Sequence, residues 1–433
     1  MTKSRESLVR LVRVAASALL MLAMAPGLSR GEGSSGAAPD STIDTTVGAG
    51  EADAEQPRRQ LVKWNEYDGP VSTIRFGFGF GYDLATYAQD EESKEQLEMD
   101  ANASVRDFRF ILSGRFKTKR PLSWTLGYMY DGVEDVWRFR KTGLYIGVPE
   151  LSGRFFVGRE KEGYSMVKVM NGYQLLTMER ATELDAFVPI LADGVKYEGY
   201  YTGPRVHVSL GWFMDELSED EKFATSDQQT VVRLGWLPIL SEDNEELLDI
   251  AVMVRDTEPD EGSLQVRSRP EDSKAPYVVD TGKFPADHAR VIGIEAFYRK
   301  GPWLVGSEYH WQDVSPVTGG DVLFHGGNVV ASWIITGETR PYNTTSACFK
   351  AVSPDRTVFS GGPGAWEAVL HLSYLDLDSG MFQGGKFWRL TPMVNWHLSD
   401  NVRMDFAYGY GELDRFGLNG GTQFFQGRIQ FTL

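Results

Sequence analysis

The chain closes on "FFQGRIQFTL" (residues 424–433). Phe425, Gly427, Ile429, Phe431 and Leu433 fall on one side of a two-residue alternation. Phe424, Gln426, Arg428, Gln430 and Thr432 fall on the other. A period of two is the mark of a β-strand, because successive side chains point to opposite faces. Termini of soluble domains usually fray into polar residues, yet here the strand pattern runs to the last residue with its apolar side uncovered. The stretch predicts a strand whose apolar face meets something other than water.

The same texture recurs upstream. "VSTIRFGFGFGYDLATY" places Ile74, Phe76, Phe78, Phe80, Tyr82 and Leu84 opposite Thr73, Arg75, Gly77, Gly79, Gly81 and Asp83. "RDFRFILSGRFK" sets Phe108, Phe110, Leu112 and Phe116 against Asp107, Arg109, Ser113, Arg115 and Lys117. "SWTLGYMYD", "RVHVSLGWF", "VVRLGWL", "RVIGIEAFYR" and "VRMDFAYGY" repeat it. With less regular runs near 136–147, 153–159 and 321–335 the pattern predicts about sixteen strands. Helical periodicity is confined to short pieces such as "YQLLTMERATEL". Composition agrees: 46 glycines and 12% aromatic residues favour twisted sheet and tight turns over helix.

Connections alternate in length. Short turns at 117–121, 202–204, 300–302 and 398–401 alternate with long, often acidic loops at 87–103, 160–193, 214–229, 256–289 and 410–423. A short link at 131–135 and a long one at 334–364 break the rule. Sorted loop lengths are the asymmetry of an outer-membrane barrel, with short periplasmic turns and long external loops. A soluble sandwich also alternates, with its apolar face inward. The aromatic weight of the apolar face, the loop asymmetry and the N-terminus separate the two. A lipid-facing Arg or Lys at mid-bilayer costs ~2–4 kcal/mol, so a barrel must keep one face free of charge.

The N-terminus carries Lys3, Arg5, Arg10 and Arg13 before an apolar run from Val14 to Ala25. That run is short of the ~20 residues of a spanning helix and reads as a secretory signal peptide over 1–29. Cleavage after Ala23-Met24-Ala25 and cleavage near Ser29 both fit. Residues 30–60 are poor in large apolar side chains and read as a disordered linker. The barrel is expected over 61–433. The formal charge of −16 excludes a nucleic-acid binder that works by neutralising phosphates. The single cysteine, Cys348, excludes an intrachain disulfide and a cysteine metal cage. Six scattered histidines offer no zinc spacing, and no nucleophile elbow or dinucleotide fingerprint is present, so no catalytic residue, metal or cofactor is expected.

Several words occur in a familiar order: "GREKEGYS" (158–165), "LTMERA" (176–181), "WIITGETRPY" (333–342), "GPGAWEAVLHLSYLDLD" (363–378) and "MVNWHLSDNVRMDFAY" (393–408). The chain resembles the phosphate-selective porin O and P family of Gram-negative bacteria from about residue 62 to Leu433. The resemblance implies a sixteen-stranded all-β transmembrane antiparallel barrel in the outer membrane, a homotrimer whose third external loop folds inward. It implies a diffusion channel for small anions such as phosphate, lined by Arg and Lys. Loop three falls at 160–193, with Lys161 on the family's lysine and Glu179-Arg180 on its Glu-Arg pair, an anchor for the loop. His371, Leu372, His397 and Leu433 depart from the family's usual residues.

Assigning every polar strand face inward gives Arg75, Arg109, Arg115, Lys117, Arg205, Arg233, Arg255, Arg299, Arg389, Arg403 and Arg428 as lumenal cations. The anions are Asp83, Asp107, Asp249, Glu295, Glu308, Glu367 and Asp405. Arg75, Arg109, Arg115, Lys117, Lys161 and Arg205 are the candidates for contact with solute, and Arg109, Arg115 and Lys161 for the constriction. The other reading of these charges is a network that pairs across the wall. A non-conducting, plugged barrel is the alternative function. Expected partners are outer-membrane lipid and, through the C-terminal strand, the barrel-assembly machinery.

Overall fold

The computed structural model describes residues 64–215 and 225–433. The expected signal peptide and linker lie outside these residues. Sixteen long strands form the wall. The first eight are β1 (Thr73–Gln89), β2 (Asn102–Arg115), β3 (Leu122–Asp131), β4 (Val136–Val148), β5 (Gly153–Glu160), β6 (Ala192–Tyr201), β7 (Val206–Met214) and β8 (Ser226–Leu240). They continue as β9 (Glu246–Pro259), β10 (Phe284–Lys300), β11 (Trp303–Pro316), β12 (Val322–Ile334), β13 (Ala365–Ser379), β14 (Phe382–His397), β15 (Val402–Arg415) and β16 (Leu418–Thr432).

Each strand pairs antiparallel with its successor, and β16 returns to β1 from Gly79↔Thr432 to Gln89↔Thr422. Leu433 N donates to Phe78 O at 2.8 Å, so the seam begins just beyond Arg75. The barrel is closed and leaves no unpaired edge. On β16, Phe425, Ile429 and Phe431 stay 45%, 41% and 38% exposed, while Arg428 and Gln430 are buried inside. That sorting, opposite to a soluble sandwich, puts the apolar face outward. Tryptophans mark the short-turn end of the outer face: Trp303 stacks on Trp333 with centroids 4.9 Å apart, and Trp366 on Trp396 at 4.8 Å. Farther along β11 stand Tyr309 and Trp311, 4.8 Å apart.

One expected loop is absent. The stretch 410–423 is not a long connection, because β15 and β16 run on to a two-residue turn at Phe416-Gly417, both with positive φ (57° and 79°). Beyond the lipid band the outward face has no reason to be apolar. Glu412 and Asp414 stand there, and their charge hides the strand in the sequence. β13 and β14 likewise meet at a two-residue turn, 380–381. Among the described residues α-helix is limited to Glu91–Gln96, Met166–Val169 and Thr182–Phe187, so most of "YQLLTMERATEL" is irregular.

Three connections enter the barrel, and one of them is 260–283, whose Glu271 O accepts from the inward Gln426 at 3.1 Å and whose Glu271 carboxylate lies 3.4 Å from His371. The loop after β5, 161–191, crosses the interior from the long-loop end. Met166 N donates to Glu295 at 2.9 Å and Val167 N to Glu308 at 3.0 Å on one wall. On the opposite wall Asn395 and Arg403 donate to Leu176 O and Leu175 O at 2.8 and 2.7 Å. The segment 335–364, at the short-turn end, rises to meet it: Arg340 Nη1 donates to Gln174 O at 3.1 Å. Between them and the inner faces of β7–β13 lies a packed core that includes Tyr164, Met166, Phe213, Met253, Phe297 and Phe349.

Candidate functional site

The inner wall gains cations where its strands break register. Gly81 of β1 opposes Asp107, but Tyr82 opposes Val105, leaving Arg106 as an extra residue. On β4 one residue is added: Leu126 opposes Thr142 and Tyr128 opposes Phe139, so Arg140 and Lys141 share one position opposite Gly127. A side chain at Gly127 would meet Lys141 O at 3.0 Å and Arg140 Cβ at 3.4 Å, so the close approach at the bulge favours glycine. Strict alternation assigns one residue per step to the lumen. The bulges bring Arg106 inward beside Asp107, and Arg140 beside Lys141.

Arg106 then binds the inward loop. Its Nε and Nη2 donate to Glu179 at 2.5 and 2.9 Å. Arg428 of β16 donates to the same carboxylate at 2.5 Å and to Asp83 at 2.6 Å. Burial pushes the Glu179 carboxyl up, but Arg106 and Arg428 outweigh it and hold it at about 2. Asp107 accepts from Arg109 at 2.5 Å and from the Tyr173 hydroxyl of the loop. The Arg109 guanidinium lies 4.3 Å from the Tyr173 ring centroid and reaches Asn171 at 3.3 Å. Arg180 is buried and donates to the backbone of Val167 and Met170 at 3.2 and 2.6 Å. Glu179 and Arg180 therefore tie the loop to the wall and to itself.

Below this arm is a cavity of about 450 Å³. Its lining carries nine cations, Arg75, Arg109, Arg140, Lys141, Arg154, Lys161, Lys196, Lys350 and Arg403, against three carboxylates, Glu160, Glu198 and Asp400. Much of the charge is paired. Lys141 and Lys196 sit 2.7 and 2.8 Å from Glu160, and Arg154 sits 2.5 Å from Glu198. Lys161 Nζ donates to Val169 O at 3.1 Å. Arg140 has no ion pair among the described residues, so its guanidinium is open to an anion.

Of the six candidates, Arg75, Arg109 and Lys161 line the cavity together. Arg115, Lys117 and Arg205 do not: all three are exposed at the short-turn end. Lys117 pairs with Asp68 at 2.7 Å, and Arg205 occupies a turn with φ 56°. The grouping of Arg115 with Arg109 and Lys161 is corrected accordingly. Arg115 is the last residue of β2, and the polar face of a strand end points at bulk water. Arg233, Arg255, Arg299 and Arg389 are inward but buried in wall and loop contacts. Arg233 meets Glu295, Arg255 meets Glu162 at 3.0 Å, Arg299 donates to Arg340 O at 2.6 Å, and Arg389 lies over the Phe424 ring at 4.3 Å. His397 sits 3.2 Å from Glu367, and His371 3.4 Å from Glu271. Outside the lumen, Asp215, Asp227 and Asp260 bring carboxylate oxygens within 4.8 Å of one another, an acidic group that sequence spacing did not reveal.

A model of the phosphate-selective porin O and P family matches residues 74–433. The chain belongs to that family. Its fold is shared with a loop-deleted form of OmpT, an outer-membrane protein of Vibrio cholerae (12% identical, TM-score 0.55, covering 84% of this chain and 100% of that one). It is shared with an anion-selective porin of Comamonas acidovorans (11%, 0.54, 84% and 100%) and the outer-membrane channel DcaP of Acinetobacter baumannii (9%, 0.53, 84% and 98%). An uncharacterized protein of Caulobacter vibrioides is 30% identical over 140 residues, 32% of this chain and 28% of that protein. The match thus spans under a third of that relative's length. Family and fold are those of a porin of the bacterial outer membrane, a channel rather than an enzyme.

Proposed function

We propose that the barrel is a passive diffusion channel that favours small anions such as phosphate and works as a homotrimer. The observation that carries this is the cavity lining, nine cations to three carboxylates, in a chain whose net charge is −16. Anion conduction asks for Arg and Lys rings that bind weakly enough to release. Paired cations such as Lys196 supply field without a deep trap, and Arg140 supplies the contact. Arg75, Arg109 and Lys161 act with it. The trimer rests on the family and on the fold shared with the OmpT trimer form of Vibrio cholerae. The outer face of aromatic and aliphatic residues contacts lipid, and the β16 strand engages the assembly machinery.

Planar-bilayer recording under a potassium chloride gradient tests the preference. An anion-selective reversal potential is expected for the wild type, moving toward zero in an Arg109→Ala, Arg140→Ala double variant. A cation-selective wild type overturns the claim. The second reading, a plugged barrel, is favoured by the packed core on the β7–β13 side. Stable insertion without stepwise conductance would decide for it.

A further inference from the structure

The cavity is not central. Its lining is drawn from β1–β6, the short-turn ends of β14–β16, the inward loop and the segment 335–364. No residue of β7–β13 contributes. On that side large apolar side chains fill the interior among buried polar groups such as Arg233–Glu295, Asn328 and Ser373: Phe213, Val291, Phe297 and Phe324 have no exposed surface. The Phe349 ring from segment 335–364 closes against Phe297, centroids 6.2 Å apart. A close-packed interior of this kind leaves no continuous path for ions.

The cavity is also one-ended. It reaches the short-turn end through Ser399, Asp400, Asn401 and Leu433. From the long-loop end only the inward loop touches it; the connections 90–101, 132–135, 260–283 and 416–417 contribute nothing. What separates it from the outside is the arm 171–180, together with the connection 260–283 at the long-loop end, where Asp272 accepts from Tyr87 at 2.7 Å and from Gln426 at 3.2 Å and Lys274 donates to Gly132 O. Gln430, Arg403, Asn395 and Arg428 donate to the arm's carbonyls at Tyr173, Leu175, Leu176 and Met178, laying it across β14–β16. Arg106 and Arg428 grip Glu179 at its far end.

We propose that small anions cross the barrel by one eccentric route along the β1–β6 wall. The route opens at the periplasmic turn 398–401 and is completed outward when the arm 171–180 lifts from Arg106 and Arg428. It rests on the anion-channel reading above and adds where the channel runs and what gates it. Arg140, on its bulge halfway along this wall, is the cation an anion meets once past the paired residues. The far half of the barrel is scaffold.

Two readouts test the route separately from the selectivity. In a Cys348→Ala background, Thr125→Cys places a thiol on the route and Ser373→Cys one on the inner face of β13. The folded, detergent-solubilised protein is treated with anionic sulfonatoethyl methanethiosulfonate, and labelling is read as a mass shift. Thr125→Cys is expected to label at least tenfold faster, and in bilayers its labelling should cut conductance at least by half. Equal rates, or faster labelling at Ser373→Cys, overturn the eccentric route even if reversal potentials remain anionic. A cation-selective reversal potential with fast Thr125→Cys labelling overturns the anion reading instead. For the gate, Glu179→Gln and Arg106→Gln attack one latch from both sides. At least one variant that inserts normally is expected to show open probability raised several-fold. An unchanged open probability in both removes the arm as the gate, and so does failure of both to insert, because the contact is then structural.

Discussion

The arcs β7–β13 and β14–β6 obey the same outward rule and differ inside. Outward, both present aliphatic and aromatic residues to lipid. Inward, the first carries Phe213, Val231, Met253, Val291 and Phe297 beside fully buried pairs such as Arg233–Glu295. The second carries glycine, serine, threonine and long cations around an open cavity. The lesson is that lipid constrains only one face of a barrel strand. The other face is free to be either core or channel, and this chain uses one arc for each.

The comparison breaks most completely if the seam is lost. Deleting Phe431–Leu433 removes the terminal pairs of the β16–β1 seam, Gly79↔Thr432 and Phe80↔Phe431, with the Leu433–Phe78 bond, and the chain is expected to fail to insert at all. Outer-membrane fractionation and heat-modifiable electrophoretic mobility check this, and normal insertion would count against the closing role. Next in size is Phe297→Ala on the packed arc, expected to cost about 3–5 kcal/mol as a buried aromatic truncation. Thr125→Ala on the open arc should stay within about 1 kcal/mol. Denaturant unfolding in micelles measures both, and similar costs would erase the distinction between scaffold and route.

A third outcome concerns the loop that joins the two arcs. Lys168 is buried and donates to Leu184 O at 3.1 Å and to Val188 O. Burial, reinforced by the Arg180 charge, pushes its ammonium down to about 7 from an ordinary 10.5. Below pH 7 the residue is charged whether the loop is docked or not. Between the two values the undocked loop binds the additional proton, so docking gains stability as pH rises through that window. Glu183, buried against Asn328 and pushed up, opposes this over the range where its own carboxyl ionises. Hydrogen exchange of 161–191, corrected for intrinsic rates, should slow between about pH 7 and 9. Lys168→Met should flatten that slope, and an unaltered slope would show that Lys168 does not set it. The smallest effect is expected from Arg115→Ala, Lys117→Ala and Arg205→Ala, exposed residues outside the cavity. Each should leave reversal potential and stability within measurement error, and a shift comparable to that of Arg140→Ala would move the selective zone to the periplasmic mouth.

The wall was legible because lipid enforces a strict period of two over most of fifteen to seventeen residues in strands such as β1 and β16. The strand count, the closed antiparallel order, and the exceptions at 132–135 and 335–364 all follow from that period and from loop lengths. Glu179 and Arg180, expected to anchor the loop, bind Arg106, Arg428 and the loop's own backbone. What escaped were the places where the rule stops applying. Above the lipid band Glu412 and Asp414 disguise β15 as a loop. At the bulges, Arg106 and Arg140 are out of phase with their strands, and "RKT" at 140–142 gives no sign of which residue turns inward. A glycine facing the break, Gly127, is the one local hint. Lys196, on the alternating strand "GVKYEGYY", was missed from the inward set, and Lys350 comes from a connection with no strand period to assign it.

The tryptophan pairs at the short-turn end have a consequence for where the molecule sits. Trp303 and Trp311 are eight steps apart on β11, both on the outer face. At about 3.3 Å per residue that is ~26 Å of strand, or roughly 20 Å of vertical height at the usual barrel tilt of about 40°. The two aromatic rings therefore act as a gauge, fixing the barrel's level in the membrane to a slab of that depth. With the level fixed, Arg140 and the Glu179 latch stand at a set height within the slab. Any change in bilayer thickness is then borne by the lipid, which must stretch or thin at the wall, and the charged interior keeps its place.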